Sequence, residues 1–426
     1  MENKSLLQKY GAYAVALVLF IAIACIYCSP ALEGKVIHSG DSTSAAAAVH
    51  ESTEYTRNTG DYSFWTGSMF SGMPNYQIGG GHYEANDWLK PFRKIMLKGH
   101  WSTPWIFIIF FVCFYMLMRA FSINKWLSIV GALATGFSSY FFIIVQAGHN
   151  SKTSSIALIS VVAAGFYLIF RKRDGWGVVL TMLFTAIGFG NHPQMSYYLF
   201  MMIGLFFFAE LYIHIKEKRY KDLAIGSLLF FGSLIVGLGT GSSTIFVNQE
   251  YAEQTMRGGH SDLKKSTDSE NKTKGLDLDY ATQWSYGIDE SLSFIIPGVM
   301  GGASSYDVGT DSELYKSLVK HGVPRNSAAQ FCSNAPLYWG DQPFTAGNVY
   351  MGAIVCFLFV LGLLIVKGPY KWAILAATLF SVFLAWGHNF MPLTEFFFKY
   401  FPLYNKFRAV SSILIVAEIT MPLLGF

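Results

Sequence analysis

The chain has 426 residues, of which 52% are hydrophobic, 17% are aromatic and only 14% are charged. Since soluble domains carry about 25% charged residues, the composition excludes an ordinary soluble domain and requires apolar surface to be hidden in lipid. The net charge of +4 does not indicate binding to nucleic acid, because the basic residues lie in short connections between apolar segments and not in one patch.

Ten apolar segments are candidates for membrane-spanning helices, each of which needs about 20 apolar residues. They are 11–29, 104–121, 126–146, 154–170, 176–190, 194–213, 223–245, 347–366, 371–386 and 410–426. The fifth and the ninth are short, so their boundaries and their full crossing stay open. Because lipid cannot satisfy a bare backbone and no alternating pattern predicts a barrel, the sequence indicates an all-α polytopic membrane protein with about ten transmembrane helices.

Basic residues predict the orientation of this bundle. With ten crossings, the short Lys- and Arg-rich connections all fall on the starting side, at 119–125, 171–173, 216–221 and 367–371. Short cytoplasmic loops carry an excess of Lys and Arg, so the N-terminus is predicted to be cytoplasmic and the protein to lie in the inner membrane. The stretch Ala22–Cys25 loosely resembles a lipoprotein cleavage site, but the apolar run continues past it, which favours an uncleaved first span.

The first large outer segment, residues 30–103, contains three kinds of sequence. Residues 43–57 are predicted to be helical, since hydroxyl side chains that can cap a helix precede a run of alanines. Residues 65–81 are rich in Gly, Pro, Asn and aromatic residues, which is typical of a loop. Residues 84–98 alternate charged and apolar residues at the spacing of an amphipathic helix lying at the membrane interface.

The second outer segment, residues 246–346, begins with a polar stretch and ends with an aromatic-rich half that is predicted to be ordered. The chain thus divides into a first transmembrane helix (1–29), an outer loop (30–103), a helical bundle (104–245), a second outer loop (246–346) and further transmembrane helices (347–426). Because no charged anchor follows Glu418 in the last apolar run, we expect the chain to be part of a longer protein that continues beyond residue 426.

Asp41 is the first candidate for a catalytic residue. It lies about a dozen residues beyond the first span, in the sequence SGDSTS, directly before the predicted helix. A carboxylate at this position can cap the helix, because the helix dipole favours an anion there. It can also act as a base at the mouth of the bundle and take a proton from an acceptor hydroxyl. At the level of sequence both interpretations stay open.

Three outer turns share a His beside an Asn. They read QAGHN (146–150), FGNHPQ (189–194) and WGHNF (386–390). Polar groups at membrane depth are costly and usually line a cavity, and these donors suit a phosphate or sugar hydroxyls. The turns therefore supply candidate substrate-binding residues: His149, Asn150, His192, Gln194 and His388. A zinc site made of histidines is a lesser possibility, because the turns lack the close ligand spacing of known zinc motifs.

Arg408 follows FPLYNKF and opens the final span at its outer end. Its guanidinium group can anchor the helix at the interface or bind an oxyanion through two hydrogen bonds. In the second case Lys406 can add a further positive charge for the same anion. The loop WTGSMFSGMPNYQ supplies Trp65 and Tyr76, whose rings can press against the face of a sugar. Such residues also build ordinary tight loops, so this assignment stays open too.

These features resemble the YfhO-type bacterial membrane proteins, which are similar to C-type glycosyltransferases. The resemblance covers most of the chain and rests on the large first outer loop with its early Asp41, the SMFSGMPNYQ stretch, the GHN and NHPQ turns, and the FPLYNKFR approach to the final span. It implies a transferase that takes a sugar from a polyprenyl-phosphate carrier. It also implies that Asp41 is the base and that Arg408 and the outer histidines meet the carrier phosphate.

The predicted activity is transfer of a sugar from a polyprenyl-phosphate-linked donor to a saccharide, lipid or protein acceptor of the cell envelope, on the extracytoplasmic face of the membrane. The alternative is a transporter or flippase of lipid-linked saccharide, which predicts polar residues near the middle of the bilayer. A non-enzymatic membrane protein of envelope assembly is a third interpretation, and it predicts no convergent pocket. The sequence leaves open whether a divalent metal is required.

Overall fold

The computed structural model describes residues 6–78, 89–97, 103–258 and 275–426. These residues are mostly helical. Their only paired strands form a short hairpin, in which β1 (Trp65–Thr66) runs antiparallel to β2 (Met73–Pro74). The predicted helical class is therefore confirmed.

The helices of the described residues fall into an N-terminal and a C-terminal group. The first group is α1 (Leu6–Tyr27), α2 (Ser29–Leu32), α3 (Gly40–Thr59), α4 (Lys90–Leu97), α5 (Thr103–Ala120), α6 (Lys125–Gly136), α7 (Ser139–Gln146), α8 (Asn150–Tyr167), α9 (Trp176–Gly188), α10 (Pro193–Lys216), α11 (Tyr220–Gly239) and α12 (Ser242–Glu253). The second is α13 (Leu278–Thr282), α14 (Glu313–Lys320), α15 (Arg325–Cys332), α16 (Ala353–Ile365), α17 (Tyr370–Ala385), α18 (Met391–Tyr400) and α19 (Ile415–Gly425).

Several of these helices can cross a membrane. Five segments are long and apolar enough: Tyr10–Tyr27, Thr103–Ala120, Asn150–Lys172, Pro193–Lys216 and Tyr220–Gly239. Two bent pairs raise the number to seven if each is one span: α6 with α7, bent by 46°, and α17 with Gly387–Tyr400, bent by 113°. The described residues thus have the helices of a multi-pass membrane protein.

The predicted number of ten spans is not confirmed. Each of the ten predicted segments contains a helix, but α9, α16 and the helical segment Val410–Gly425 are shorter than the other spans. A helix rises about 1.5 Å per residue, so the 13 residues of α9 or α16 cover only about 20 Å of a hydrocarbon core of about 30 Å. Composition marks these helices as apolar but does not establish that they cross.

The helix α8 lies at the centre of the bundle. In the most apolar stretch of its candidate span, 83% of the residues are buried inside the protein. Small residues let its neighbours approach closely, as expected for helices in lipid. A Cβ atom on Gly165 of α8 would lie 2.8 Å from the carbonyl oxygen of Gly177 in α9. Aromatic side chains fill the space between α5 and α7, where the rings of Phe110 and Phe141 are 4.6 Å apart.

Connections rich in basic residues meet at one end of the bundle. Arg173 forms an ion pair with Asp222. Glu210 accepts a hydrogen bond from the hydroxyl of Tyr370 and lies 3.7 Å from Arg171. The three turns that contain His149, His192 and His388 follow or precede the opposite helix ends, so the two kinds of connection are separated in the fold.

The first outer segment differs from its prediction in the bounds of α3 and in the hairpin within the predicted loop. The helix predicted at 43–57 begins three residues earlier, at Gly40, because Ser39 provides the cap by accepting a hydrogen bond from the backbone N–H of Ser42 at 3.2 Å. Asp41 therefore lies inside the first turn of α3 and not before it. The predicted loop 65–81 contains the hairpin of β1 and β2, followed by a single 3₁₀ turn. Of the helix predicted at 84–98, only α4 lies within the described residues.

The second outer segment is attached to the bundle at several points. Its helical start is α12, so helical structure continues eight residues beyond the predicted boundary at 245, to Glu253. Residues 275–352 contain short helices and two isolated bridges, one of them between Gly301 and Tyr338. The Ser139 hydroxyl at the start of α7 donates to the carbonyl oxygen of Asn348 at 2.6 Å, which ties the end of this segment to the bundle.

Candidate functional site

Asp41 and His149 form a polar pair at the mouth of the bundle. The His149 Nε2 atom lies 2.9 Å from an Asp41 carboxylate oxygen. Since an ionised carboxylate only accepts, the neutral imidazole donates from Nε2 and keeps Nδ1 as an acceptor. Nδ1 is buried and has no hydrogen-bond partner among the described residues, whereas 67% of the Asp41 side chain is exposed. Asp41 is therefore the member of the pair that can reach a substrate, and His149 positions it.

The pair depends on contact between the start of α3 and the turn that joins α7 to α8. The Ser39 hydroxyl donates to the carbonyl oxygen of Ala147 at 3.0 Å, so the residue that caps α3 also ties the helix to the turn. Gly148 has a φ of +83°, and a Cβ atom at this position would lie 2.0 Å from the Ser39 Oγ. Glycine is required here both for its backbone conformation and for the close approach.

The environment of His149 favours its neutral form. Its pKa is lowered, first because the ring is partly buried and then because Lys152 is nearby, while Asp41 opposes the shift and Arg408 adds a smaller lowering. Although 42% of the side-chain surface is exposed, Nδ1 faces the interior, so burial prevails. His149 is thus neutral at pH 7, as the donor role of Nε2 requires, and Arg408 lies within electrostatic range of the pair.

Lys152, in the first turn of α8, is a buried cation with 9% of its surface exposed. Its Nζ donates to the Ser412 hydroxyl at 3.0 Å and lies 5.4 Å from the centre of the Tyr140 ring. No carboxylate in the described part of the chain forms an ion pair with it. An ammonium group has three donors, and a buried charge is costly unless it is paired. Lys152 is therefore the clearest indication of an anionic ligand.

Arg408 lies on the exposed side of this cluster. Its Nη1 donates to the hydroxyl of Tyr280 at 2.7 Å, and its guanidinium carbon lies 5.8 Å and 6.0 Å from the ring centres of Tyr280 and Trp284. The Gln194 side chain donates to the Arg408 carbonyl oxygen at 2.6 Å. These contacts orient the guanidinium group and join the start of α10 to the approach to the final helix. The next residue, Ala409, has a φ of +56°, a conformation that costs a residue other than glycine about 1–2 kcal/mol.

Arg257 and Lys406 are two further cations near Arg408. Arg257 donates to the carbonyl oxygen of Lys406, and the Nζ of Lys406 donates to the carbonyl oxygen of Arg257 at 2.7 Å. The pKa of Arg257 is lowered by burial and then by the positive charge of Arg408. Since arginine stays protonated at any ordinary pH, Arg257 and Arg408 are two positive charges within electrostatic range of each other.

His192 lies at the start of α10 and belongs to the same cluster. Its Nδ1 accepts a hydrogen bond from the backbone N–H of Met195 at 3.4 Å. Burial lowers its pKa to about 4, and the charges of Lys152, His149 and Arg257 add to the shift. His192 is therefore neutral at pH 7. Together, the four cations Lys152, Arg257, Lys406 and Arg408, two neutral imidazoles and the Asp41 carboxylate make a site that can bind an anion beside a base.

Two other predicted site residues are close to this cluster without contributing a charge to it. Asn150 begins α8 directly after His149, and its carbonyl oxygen accepts a hydrogen bond from the Thr153 hydroxyl at 2.6 Å. The His388 Nδ1 lies 3.2 Å from the carbonyl oxygen of Thr282. Thr282 lies between Tyr280 and Trp284, whose rings lie against Arg408. His388 therefore contacts the short segment that holds these two rings.

Trp65 and Tyr76 are not brought to the cluster by the contacts that the structure records for them. The indole of Trp65 lies against Gly72 within its own hairpin, and 60% of Trp65 is exposed. The ring of Tyr76 packs at 6.4 Å against that of Tyr251 in α12. The Ser68 hydroxyl ties the hairpin to the middle of α3 by donating to the carbonyl oxygen of Ala48 at 2.6 Å.

A cavity of about 490 Å³ lies among the helix ends on this side of the bundle. Its walls are mainly apolar and come from the end of α1, the start of α5 and the end of α7, with Tyr27, Phe107 and Phe142 among them. Ile37 and Gln146 also line it, and these residues lie within four positions of Asp41 and His149 in the chain. The cavity is thus large and apolar enough to hold part of an apolar chain.

The described residues contain no group of three or more His, Cys, Asp or Glu side chains placed to hold a metal ion. The chain matches no family model, no curated protein and no solved structure. The resemblance to YfhO-type proteins thus stays a prediction, and the function has to be argued from the geometry.

Two cations of the cluster, Lys152 and Arg257, are absent from the site residues predicted from the sequence. Lys152 had a recognisable signal, because it is a basic residue in an outer turn, on the side where short connections otherwise hold few. Arg257 lies in a polar stretch of the second outer segment that has no distinctive pattern. Its place beside Arg408 depends on contacts across about 150 residues of chain.

Proposed function

We propose that the protein is a membrane glycosyltransferase that moves a sugar from a polyprenyl-phosphate carrier to an acceptor of the cell envelope on the extracytoplasmic side. The observation that carries this proposal is the buried ammonium group of Lys152, without a carboxylate partner in the described residues, within electrostatic range of His149, which holds the exposed Asp41 carboxylate. A phosphate supplies the anion that Lys152 lacks, and the carboxylate supplies the base that glycosyl transfer to a hydroxyl requires.

The reaction assigns separate roles to the two halves of the site. Asp41 takes the proton from the acceptor hydroxyl as its oxygen attacks the anomeric carbon of the sugar. The bond from that carbon to the phosphate oxygen breaks, and the phosphate leaves with the electron pair. Lys152 and Arg408 stabilise the charge that develops on the leaving phosphate, which is most effective where water is partly excluded.

The cavity lined by Ile37 and Gln146 supports a lipid-linked donor. Its apolar walls suit an isoprenoid chain, and Gln146 precedes His149 by only three positions, which favours a phosphate end that points towards His149. Its volume of about 490 Å³ is within the usual range of ligand pockets, roughly 300–1,000 Å³. The polyprenyl-phosphate carrier would then reach the cavity from the bilayer that surrounds the helices.

Transfer assays with two variants test this proposal. Purified protein in nanodiscs is incubated with radiolabelled polyprenyl-phosphate hexoses and envelope extracts, and binding of radiolabelled polyprenyl phosphate alone is measured separately. Asp41→Asn is expected to lower transfer by about 10²- to 10⁴-fold with little effect on binding. Lys152→Met is expected to abolish binding, because it removes the buried cation. Asp311→Asn, which changes an exposed carboxylate of the second outer segment, is the matched control.

The outcomes separate the candidate functions. Transfer by Asp41→Asn at the native rate removes Asp41 from the mechanism. Failure of the native protein to bind polyprenyl phosphate overturns the proposal as a whole. Movement of the labelled lipid between the leaflets of a liposome, without transfer of its sugar, identifies the flippase alternative instead.

A further inference from the structure

The helix α16 is shorter than the membrane it is expected to cross. Its 13 residues rise about 20 Å, about 10 Å less than a typical hydrocarbon core. One face of this helix is apolar and uncovered, with Ile354, Phe357 and Leu364 exposed over 74%, 66% and 76% of their surfaces. Apolar surface beside one end of α16 would make up this difference in height.

An exposed apolar surface lies next to the N-terminal end of α16. Residues 288–299 of the second outer segment expose five large aliphatic side chains, each over about a third to a half of its surface. They are Ile288 (51%), Leu292 (54%), Ile295 (51%), Ile296 (51%) and Val299 (37%). Monomeric proteins rarely leave such a cluster uncovered unless it contacts a partner or a membrane.

The cluster is attached to the N-terminal end of the helix. The backbone N–H of Gly352, just before α16, donates to the carbonyl oxygen of Phe294 at 3.2 Å. The Cys356 thiol in the first turn of α16 lies 3.5 Å from the same oxygen. The segment is therefore fixed to the N-terminal end of the helix.

Contacts of its buried side chains also hold the segment in place. Glu290, which is only 1% exposed, accepts hydrogen bonds from the backbone N–H of Gly287 at 2.7 Å and from the hydroxyl of Tyr338 at 2.5 Å. The rings of Phe294 and Tyr286 stack with centroids 5.6 Å apart. The aliphatic side chains are thus displayed on an ordered frame, which lowers the entropic cost of docking onto a surface.

We propose that residues 288–299 dock into the headgroup and outer acyl region of the bilayer and supply the apolar height that α16 lacks. The partner is the lipid surface itself, because the patch is fixed to one end of an apolar helix that has exposed apolar side chains of its own. Asp289 is exposed within the segment and carries a charge, which restricts the docking to the interface and excludes the hydrocarbon centre. The inference is independent of the proposed transferase activity.

Spin labels at Leu292→Cys and Ile296→Cys test this docking. The full chain, with its native cysteines replaced, is placed in nanodiscs, and the accessibility of each label to oxygen and to a water-soluble nickel chelate is compared. Oxygen concentrates in lipid, so both labels are expected to be more accessible to oxygen than to nickel. Phe357→Cys in α16 is the lipid control, and Glu313→Cys, whose native side chain is 91% exposed, is the water control.

Two results overturn the proposal. Labels at positions 292 and 296 that behave like the label at 313 place the segment in water. Labels that are shielded from both reagents place it against protein, and the oligomeric state in detergent then shows whether a second copy covers it. Each variant is first checked for a single symmetric peak in gel filtration, and agreement between the two positions guards against a local effect of one label.

Discussion

The candidate site depends on a division of roles between two single residues. Asp41 is exposed and held by one hydrogen bond to His149, so it is suited to accept a proton from a substrate. Lys152 is buried and held by one hydroxyl, so it is suited to bind an anion that enters from the membrane side. Because these roles belong to different steps, loss of each residue is expected to affect a different measurement.

The pKa of His192 predicts how stability depends on pH. Burial and nearby positive charges lower this pKa from 6.5 to about 4, so the folded protein keeps the ring neutral where the unfolded chain takes up a proton. The stabilisation is complete above pH 6.5 and is lost as the pH falls towards 4. At about 1.4 kcal/mol for each pKa unit, the loss is roughly 3 kcal/mol.

His192→Asn is expected to remove most of this dependence. Asparagine keeps an acceptor that can cap α10 but has no proton to gain in this range. Thermal unfolding in detergent between pH 4.5 and 7.5 should show a steeper fall in Tm for the native protein than for the variant. His321→Asn, at an exposed histidine of the second outer segment, is the matched control. Equal slopes for the native protein and His192→Asn would count against the assigned pKa.

At the scale of whole elements, the site is assembled by contact between helix ends. Asp41 and His149 are 108 positions apart in the chain, and the sequence predicts only that both lie on the same side of the bundle. Their pairing follows from the way Ser39 and Gly148 let α3 rest on the turn between α7 and α8. A local pattern cannot predict such a contact, because it depends on the fit of two surfaces.

Gly148→Ala is expected to detach the start of α3. A methyl group at position 148 would overlap the Ser39 hydroxyl, and overpacking of this kind costs about 1–3 kcal/mol in addition to the backbone strain. Gly34→Ala is the matched control, because Gly34 has the same φ of +83° but no atom within 4 Å of a new Cβ. Hydrogen–deuterium exchange at residues 40–46 should accelerate in Gly148→Ala and not in Gly34→Ala. Similar exchange in both variants would mean that the contact does not hold the helix.

For the whole molecule, composition and apolar length predicted the helical class and the position of a helix in every expected span. The number of crossings was not predictable in the same way, because α9 and α16 are apolar but only 13 residues long. A short helix crosses only if neighbouring elements supply the missing apolar height, and that depends on the three-dimensional arrangement. The segment above α16 is an element of this kind, and its own sequence carries no span signal.

The predicted sidedness decides whether the site can act on envelope acceptors, and it can be tested directly. Position 44, in the first turns of α3, is exposed near Asp41, and position 172 is exposed at the opposite end of the bundle among basic residues. The excess of Lys and Arg in the short connections at that end predicts that it faces the cytoplasm.

In intact bacterial cells, a membrane-impermeant maleimide should therefore label Ser44→Cys strongly and Lys172→Cys only after the cells are opened. The native protein, whose five cysteines are free and for the most part buried, gives the background. The reverse pattern would place Asp41 in the cytoplasm and would exclude an extracytoplasmic transferase, whatever the geometry of the site.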